Sequence, residues 1–273
     1  MNAGRTLRSH LSLGRNLFVD RVFLAIRIRM PSLLNRIVTL ACVALLPACA
    51  NMRTRAVKDT SKTFKTVVVD AGHGGKDSGA YRRYGPPEKL VTLDVAQRLN
   101  SKLRESQLKT VMTRSSDVFI PLDERVTIEN SQKNAIFVSI HFNDSRQRGI
   151  RGFETYYHSG VSFDIASRIQ EKLMTIPHSA NRGIHTANFR VLRKATFPAV
   201  LVECGYLSNR SEGGQARDWE YRELLADRIA EAIVEQRYGA GVYKGSPQLA
   251  SQFQQSTESS SGSTGLAPTA PHR

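Results

Sequence analysis

The stretch that decides the fold of this chain is Val67-Val68-Val69-Asp70-Ala71-Gly72-His73-Gly74-Gly75-Lys76-Asp77. It predicts a buried β-strand over Thr66–Val69, because a short, continuous apolar run that ends at glycines is typical of such strands. The strand leads into a turn that carries one histidine, His73, between glycines that let the backbone turn sharply. The stretch therefore presents a single histidine at the end of a strand.

Two later apolar stretches end in a similar way. Ala135–Ile140 leads to His141, and Ala199–Val202 leads to Glu203. Other segments repeat apolar residues every three or four positions, which predicts helices. The predicted helices are Lys89–Arg104, Leu122–Ser131, Ser162–Met174 and Tyr221–Val234, and two further strands are predicted at Thr110–Thr113 and Gly152–Tyr157. This alternation predicts an α/β fold, with an open, mostly parallel twisted sheet and helices on both faces, in a single domain.

The three strand ends predict a metal site. Open α/β sheets bind ligands in the crevice beyond the carboxyl ends of their strands, so we expect His73, His141 and Glu203 to converge there. Catalytic zinc usually takes three protein ligands of the histidine and carboxylate type and keeps a fourth position for water. The residue types therefore favour a zinc ion and hydrolytic chemistry.

Two glutamates are candidates for separate roles at this site. Glu88 precedes the helix predicted from Lys89, where the backbone can hold it as a third metal ligand. Glu203 follows an apolar strand, and apolar surroundings raise the pKa of a carboxyl group, as a general base requires. Asp70 is expected either to hydrogen-bond the free ring nitrogen of His73 or to stabilise the turn as an Asx cap.

The same motifs occur in a fixed order with several others along the chain. They are Val69–Gly75, Glu88-Lys89, Ser139–Asn143 and Pro198–Asn209, with the lesser blocks Thr113-Arg114, Leu122–Arg125 and Asn181–Ile184. In this combination the chain resembles the zinc-dependent N-acetylmuramoyl-L-alanine amidases, amidase type 3, over about residues 65–238.

The resemblance implies a cell-wall hydrolase. Its reaction would be hydrolysis of the amide between the lactyl group of N-acetylmuramic acid and the L-alanine of the peptidoglycan stem peptide. By position, His73, Glu88 and His141 would bind one Zn2+ ion, and Glu203 would be the catalytic glutamate. The candidates for substrate binding are Asn143, Arg182 and Arg193, with Arg190 and Lys194 beside them. The basic residues are expected either to meet carboxylates of the stem peptide or to form a solvated basic face, and Asn143 either to bind substrate or to orient His141.

Two features of the chain bear on access to the site. Phe142 stands where the family commonly has a small residue, so its ring is expected to narrow the groove or to change substrate preference. Some division-linked members of the family carry a long inserted helix that plugs the site until an activator removes it. The interval between His141 and Glu203 is filled by other predicted elements, so no inserted autoinhibitory helix is expected.

The start of the chain predicts export. Residues 1–49 include an apolar stretch at 33–47 that is shorter than the roughly 20 residues of a membrane span and fits a signal peptide. Leu46-Pro47-Ala48-Cys49 resembles a lipobox, which would attach a lipid anchor at Cys49, although ordinary cleavage beside it stays open. Met30 is an alternative start. We therefore expect a periplasmic or cell-envelope protein, and an outer-membrane lipoprotein if Cys49 is lipidated.

The remaining segments divide the chain further. Residues 50–64 are predicted to be a tether, 65–238 the catalytic domain, and 239–273 a disordered tail rich in serine and glutamine. The three cysteines, Cys42, Cys49 and Cys204, lack the spacing of a zinc–thiolate cluster. We expect a monomer.

The net charge of +15 over 273 residues narrows the partners. A basic surface suits an anionic polymer, and peptidoglycan is the partner that we expect. Nucleic-acid binding is disfavoured, because no interleaving of basic and aromatic residues supports it. Two alternatives stay open: a wall-binding protein that has lost turnover, and a zinc peptidase that cuts the stem peptide or another amide.

Overall fold

The computed structural model describes residues 56–81 and 84–245. The predicted signal peptide, the lipobox at Cys49, the alternative start at Met30 and most of the predicted tail lie outside these residues. Among the described residues, no helix is both long enough and apolar enough to cross a membrane.

A six-stranded sheet forms the centre of the fold. Its strands are β1 (Thr66–Ala71), β2 (Lys109–Met112), β3 (Ala135–Asn143), β4 (Phe153–Tyr157), β5 (Asn181–Thr186) and β6 (Ala199–Tyr206). The strands lie in the order β2-β1-β3-β6-β4-β5. Neighbouring strands are parallel except β4 and β6, which run antiparallel. The predicted open, mostly parallel sheet is confirmed.

Helices cover both faces of this sheet. They are α1 (Glu88–Glu105), α2 (Leu122–Asn130), α3 (Phe163–Leu173), α4 (Arg190–Arg193), α5 (Arg210–Gln215) and α6 (Trp219–Tyr238), with a 3-10 turn at Gly160–Ser162. On one face, α1, α3 and α6 bury the larger hydrophobic cluster, which we call the major core. On the other face, α2 and α4 contribute to a smaller cluster around Val68, Phe137 and Leu201, which we call the minor core.

The sheet differs from the prediction in the length and number of its strands. β3 continues to Asn143 and β6 to Tyr206, so His141 and Glu203 lie inside strands and face each other in the β3–β6 register. Backbone hydrogen bonds continue the strands there although the side chains have become polar. β5 has no apolar pattern because it is an exposed edge strand, and the sequence did not predict it.

The folded part extends beyond both predicted limits of the catalytic domain. Phe64, within the predicted tether, is fully buried in the major core. Thr60 donates a hydrogen bond from its hydroxyl to the backbone oxygen of Ala135, at 2.5 Å. At the other end, the Tyr243 hydroxyl donates to Asp227 at 2.9 Å. The described chain on both sides of 65–238 is thus tied to the domain by specific contacts.

Candidate metal centre and active site

The pleat of the sheet places the functional side chains on one face. Side chains at alternate positions of a strand point to the same side. Asp70, His141 and Glu203 each stand an even number of residues after a minor-core residue of the same strand. All three therefore point to the face that α2 and α4 cover, near the carboxyl ends of β1, β3 and β6.

The loop after β1 depends on its glycines. His73 has a φ of 60°, and Gly74 and Gly75 follow with φ values of 125° and 56°. A Cβ at Gly72 would lie 2.4 Å from the ring of His141, and a Cβ at Gly79 would lie 2.5 Å from a carboxylate oxygen of Glu88. The absent side chains leave the space in which the two histidines and Glu88 meet.

His73, Glu88 and His141 bring three ligand atoms to one point. Glu88 is the first residue of α1, and its Oε1 lies 3.1 Å from Nε2 of His73 and 3.0 Å from Nδ1 of His141. The candidate ligand atoms all lie within 4.8 Å of one another. Two imidazole nitrogens and one carboxylate oxygen at this spacing fit the ligand set of a catalytic zinc site. The structure thus brings together the three predicted ligands.

The pKa values of His73 and Glu88 reflect how closely these side chains approach each other. Burial opposes charge on His73, but hydrogen bonds to Glu88 and Asp77 outweigh it and raise the pKa of His73 to about 9. Burial likewise opposes charge on Glu88, yet the two imidazoles hold its pKa well below the usual range. The Glu88 carboxylate therefore stays negatively charged at the point where a cation would bind.

Asp77, and not Asp70, contacts the second ring nitrogen of His73. Asp77 Oδ2 lies 2.9 Å from Nδ1 of His73, while its other oxygen accepts from the backbone of Gly79. A carboxylate in this position favours the tautomer that directs Nε2 of the imidazole towards a metal. The prediction for Asp70 was wrong in both forms, because β1 directs that side chain into the protein.

Asp70 instead anchors the base of the site. It is 1% exposed and accepts hydrogen bonds from Arg125, Thr113 and Ser139, each at 2.6 Å. Burial opposes its charge, but the Arg125 guanidinium and the two hydroxyls outweigh burial and lower the pKa of Asp70. This carboxylate ties β1 to β3 and to α2.

Two buried arginines from the lesser motif blocks hold the loop that carries His73. Arg125 donates to the backbone oxygens of Ala71 and His73, both at 2.6 Å. Arg114 donates to the backbone oxygens of Ala71 and Gly72, at 2.9 and 2.8 Å. These bonds hold the backbone from the end of β1 to His73, so side chains fix the loop.

Glu203 has the properties of a proton acceptor beside the metal group. It faces His141 in the β3–β6 register, and its Oε2 is buried with no hydrogen-bond partner in the described part of the chain. Burial is the main cause that raises the pKa of Glu203 to about 7, with Glu88 and Glu154 adding to it and His141 opposing it. The raised pKa that the sequence predicts is thus found in the structure.

A cleft of about 540 Å³ opens onto this group. His73, His141 and Glu203 lie in its wall together with four further charged residues, Asp70, Asp77, Arg125 and Arg190, and the remaining residues of the wall are apolar. The apolar part comprises Phe119, Ile120, Leu122, Phe189, Val191 and Leu201. The cleft gives the polar group access from solvent, and apolar side chains form about half of its wall.

Neither Phe142 nor the described segment between His141 and Glu203 obstructs the cleft. Phe142 is 3% exposed and lies in the major core, because it points to the face opposite His141. The expectation that its ring narrows the groove was wrong. All of residues 142–202 are described, and their longest helix, α3, contacts α6 on the far face of the sheet.

The candidate substrate-binding residues fall into two groups. Asn143 and Arg182 both hydrogen-bond Glu154, a residue that sequence reasoning missed. The one sign of Glu154 in the sequence is that it is a single acidic residue within the β-rich stretch Gly152–Tyr157. Arg193 is exposed at the end of α4, beside Arg190, which pairs with Asp123. The first group is thus joined to Glu154, which stands opposite Glu203, and Arg190 of the second group lies in the wall of the cleft beside Glu203.

Comparison with known proteins identifies the family to which this chain belongs. The family model described as N-acetylmuramoyl-L-alanine amidase, type 3, matches residues 67–235, which include all four candidate residues of the centre. The chain belongs to this amidase family. The family assignment that the motifs predict is confirmed.

Solved amidase structures share the fold. The catalytic domain of CwlV, an N-acetylmuramoyl-L-alanine amidase from Bacillus (Paenibacillus) polymyxa var. colistinus, is 40% identical with a TM-score of 0.60. That match covers 63% of this chain and 97% of the CwlV domain. AmiC2 of Nostoc punctiforme is 38% identical with a TM-score of 0.60, covering 62% of this chain and 95% of AmiC2.

Relatives from Bacillus subtilis align over the same region. The protein YqiI is 37% identical over 173 residues, which are 62% of this chain and 83% of YqiI. The N-acetylmuramoyl-L-alanine amidase LytC is 37% identical over 174 residues, but these make up only 35% of LytC. The similarity to this amidase family therefore concerns the catalytic domain.

Proposed function

We propose that this amidase-family protein hydrolyses the amide between the lactyl group of N-acetylmuramic acid and the L-alanine of peptidoglycan stem peptides, with one Zn2+ ion as cofactor. The observation that carries the proposal is the meeting of three ligand atoms within 4.8 Å beside a buried glutamate. His73, Glu88 and His141 would hold the ion, and Glu203 would act as the general base.

Each residue of the centre has its own role in amide hydrolysis. A bound Zn2+ ion would supply Lewis-acid polarisation of the scissile carbonyl. Glu203 accepts the proton of the attacking water at Oε2, which has no hydrogen-bond partner among the described residues, and returns it to the L-alanine nitrogen as that nitrogen leaves. Asp77 keeps His73 in the required tautomer, and the apolar wall of the cleft strengthens these electrostatic interactions.

The place of action follows from the substrate. Peptidoglycan lies outside the cytoplasmic membrane, and several relatives are named as probable cell wall amidases. An exported protein of the periplasm or cell envelope remains our proposal, with a lipid at Cys49 if the lipobox is processed and ordinary cleavage as the alternative. The amino-terminal sequence supports export, and a monomer remains an expectation.

Product identity tests the proposal. The purified protein is incubated with defined muropeptides, with and without a chelator, and the products are identified by mass spectrometry. We expect a free stem peptide that begins at L-alanine, and its loss on chelation and in Glu203→Gln. Cleavage within the peptide would instead establish the zinc peptidase, and binding without any product would establish the wall-binding protein.

A further inference from the structure

Glu154 is a buried carboxylate at the edge of the catalytic group. It lies on β4 directly opposite Glu203 on β6, so the two side chains share a face of the sheet. Glu154 is 3% exposed, and each of its oxygens accepts two hydrogen bonds. The donors are Asn143 Nδ2 at 3.0 Å, Tyr156 Oη at 2.7 Å, Tyr206 Oη at 3.1 Å and Arg182 Nε. With four donors on two oxygens, Glu154 holds its partners in place and has no free capacity for a substrate.

Arg182 is the most exposed of the four residues that hydrogen-bond Glu154. It lies where the β4–β5 register shifts, and its side chain is 38% exposed. Glu154 binds the Nε edge of the guanidinium, and the ring of Tyr206 lies under it at 5.5 Å. Arginine has five N–H donors, so donors remain for a ligand after these contacts. The guanidinium is therefore both fixed and accessible.

The sheet sets the distance between Arg182 and the reacting amide. His141, Glu203, Glu154 and Arg182 stand on four neighbouring strands, β3, β6, β4 and β5. Because neighbouring strands lie about 4.8 Å apart, the backbone of Arg182 lies roughly 10 Å from that of Glu203. A peptide advances at most about 3.5 Å per residue. Arg182 is thus within reach of the second and third residues beyond the scissile bond.

We propose that Arg182, positioned by Glu154, binds a carboxylate of the stem peptide two or three residues beyond the scissile amide. This inference rests on the proposed function and names the feature of the substrate that the site selects. Planar guanidinium groups bind carboxylates through paired hydrogen bonds, and the bond from Glu154 orients Arg182 before substrate arrives.

Paired substrates test the inference. Two muropeptides are prepared that differ only in the second and third stem residues, whose carboxylates are free in one and carboxamides in the other. Their affinities for Glu203→Gln protein are measured by calorimetry, and kcat and KM are measured with the wild-type protein. We expect about tenfold or tighter binding of the free acid, in the range of a charge-assisted hydrogen bond, expressed mainly in KM.

Variants separate recognition from general stability. In Arg182→Gln the affinity ratio between the two muropeptides should fall towards one, and Arg182→Lys should keep part of it. Glu154→Gln weakens the anchoring bond and should lower the same ratio, which a merely structural role would not change. Arg104→Gln is the matched control, because Arg104 is exposed in the last turn of α1 and the same charge is lost.

Failure of the inference about Arg182 and failure of the proposed amidase reaction give different results. Equal affinity of the Glu203→Gln protein for both muropeptides would overturn the inference. So would the same affinity ratio when Arg182→Gln or Arg104→Gln is added to that protein. Absence of a stem peptide beginning at L-alanine would overturn the amidase reaction. The calorimetric ratio would still decide the role of Arg182, because binding to Glu203→Gln needs no turnover.

Discussion

At the scale of single residues, the metal group depends on contacts that prepare each ligand. Glu88 approaches both histidines, and Asp77 hydrogen-bonds the ring nitrogen of His73 that faces away from Glu88. Partners of this kind orient an imidazole and raise its basicity. Asp77 should therefore matter for metal affinity although it is not itself a ligand.

Asp77→Asn should weaken zinc binding about tenfold, because a neutral amide supports the His73 ring less well than a carboxylate. Competition with a chromophoric chelator measures the affinity. Asp164→Asn serves as the control, since Asp164 is an exposed residue of α3 that pairs with Lys62. Equal zinc affinity in the two variants would show that Asp77 has no such role.

At the scale of elements, buried polar contacts join strands and helices where the apolar core ends. Asp70 of β1 contacts Ser139 of β3 and Arg125 of α2. Removing one partner of a buried ion pair leaves the other charge without compensation. The junction of these three elements therefore depends on a charged Asp70.

Asp70→Asn should lower the free energy of unfolding by about 3–5 kcal/mol at neutral pH. The folded state lowers the pKa of Asp70 below its ordinary 3.8, so the stabilisation from its charge is present above pH 3.8. It is lost as the pH falls below 3.8 through the folded-state pKa. The difference between wild type and variant should accordingly shrink in that window.

Urea denaturation over a pH series measures this difference. Asp164→Asn is again the control, because a surface pair contributes about 0–1 kcal/mol. A difference between wild type and Asp70→Asn that stays constant down to the acid limit of folding would contradict the assigned charge on Asp70.

At the scale of the whole molecule, the arrangement of layers leaves the cleft open. The helix α3 lies on the face of the major core, and the short α4 contributes Val191 to the cleft wall. A cleft of about 540 Å³ reaches the group formed by His73, His141 and Glu203. Substrate therefore has a path to the centre in the described fold.

The purified protein should turn over muropeptides at zinc saturation without any second protein. The physical reason is that no described segment between His141 and Glu203 must move to uncover the centre. Initial rates with and without an extract of envelope proteins measure the effect. Strong activation by a binding partner would contradict the open groove.

The sequence by itself determined the main strands, the sheet class, the three candidate ligands and the family. These depend on local patterns: continuous apolar runs make buried strands, and Gly74 and Gly75 adopt the positive φ angles of the turn after His73 without a Cβ to oppose them. Parallel strands place their carboxyl ends at one edge, so His73 and His141 had to lie near each other.

Only the tertiary structure decided which polar groups support the centre. A bridge between Gly74 and Asp77 folds the loop back, so Asp77 meets His73 while Asp70 points into the protein. The antiparallel pairing of β4 with β6 places Glu154 opposite Glu203. Such contacts arise from strand order and side-chain direction across the sheet, and the spacing of residues along the chain does not contain that information.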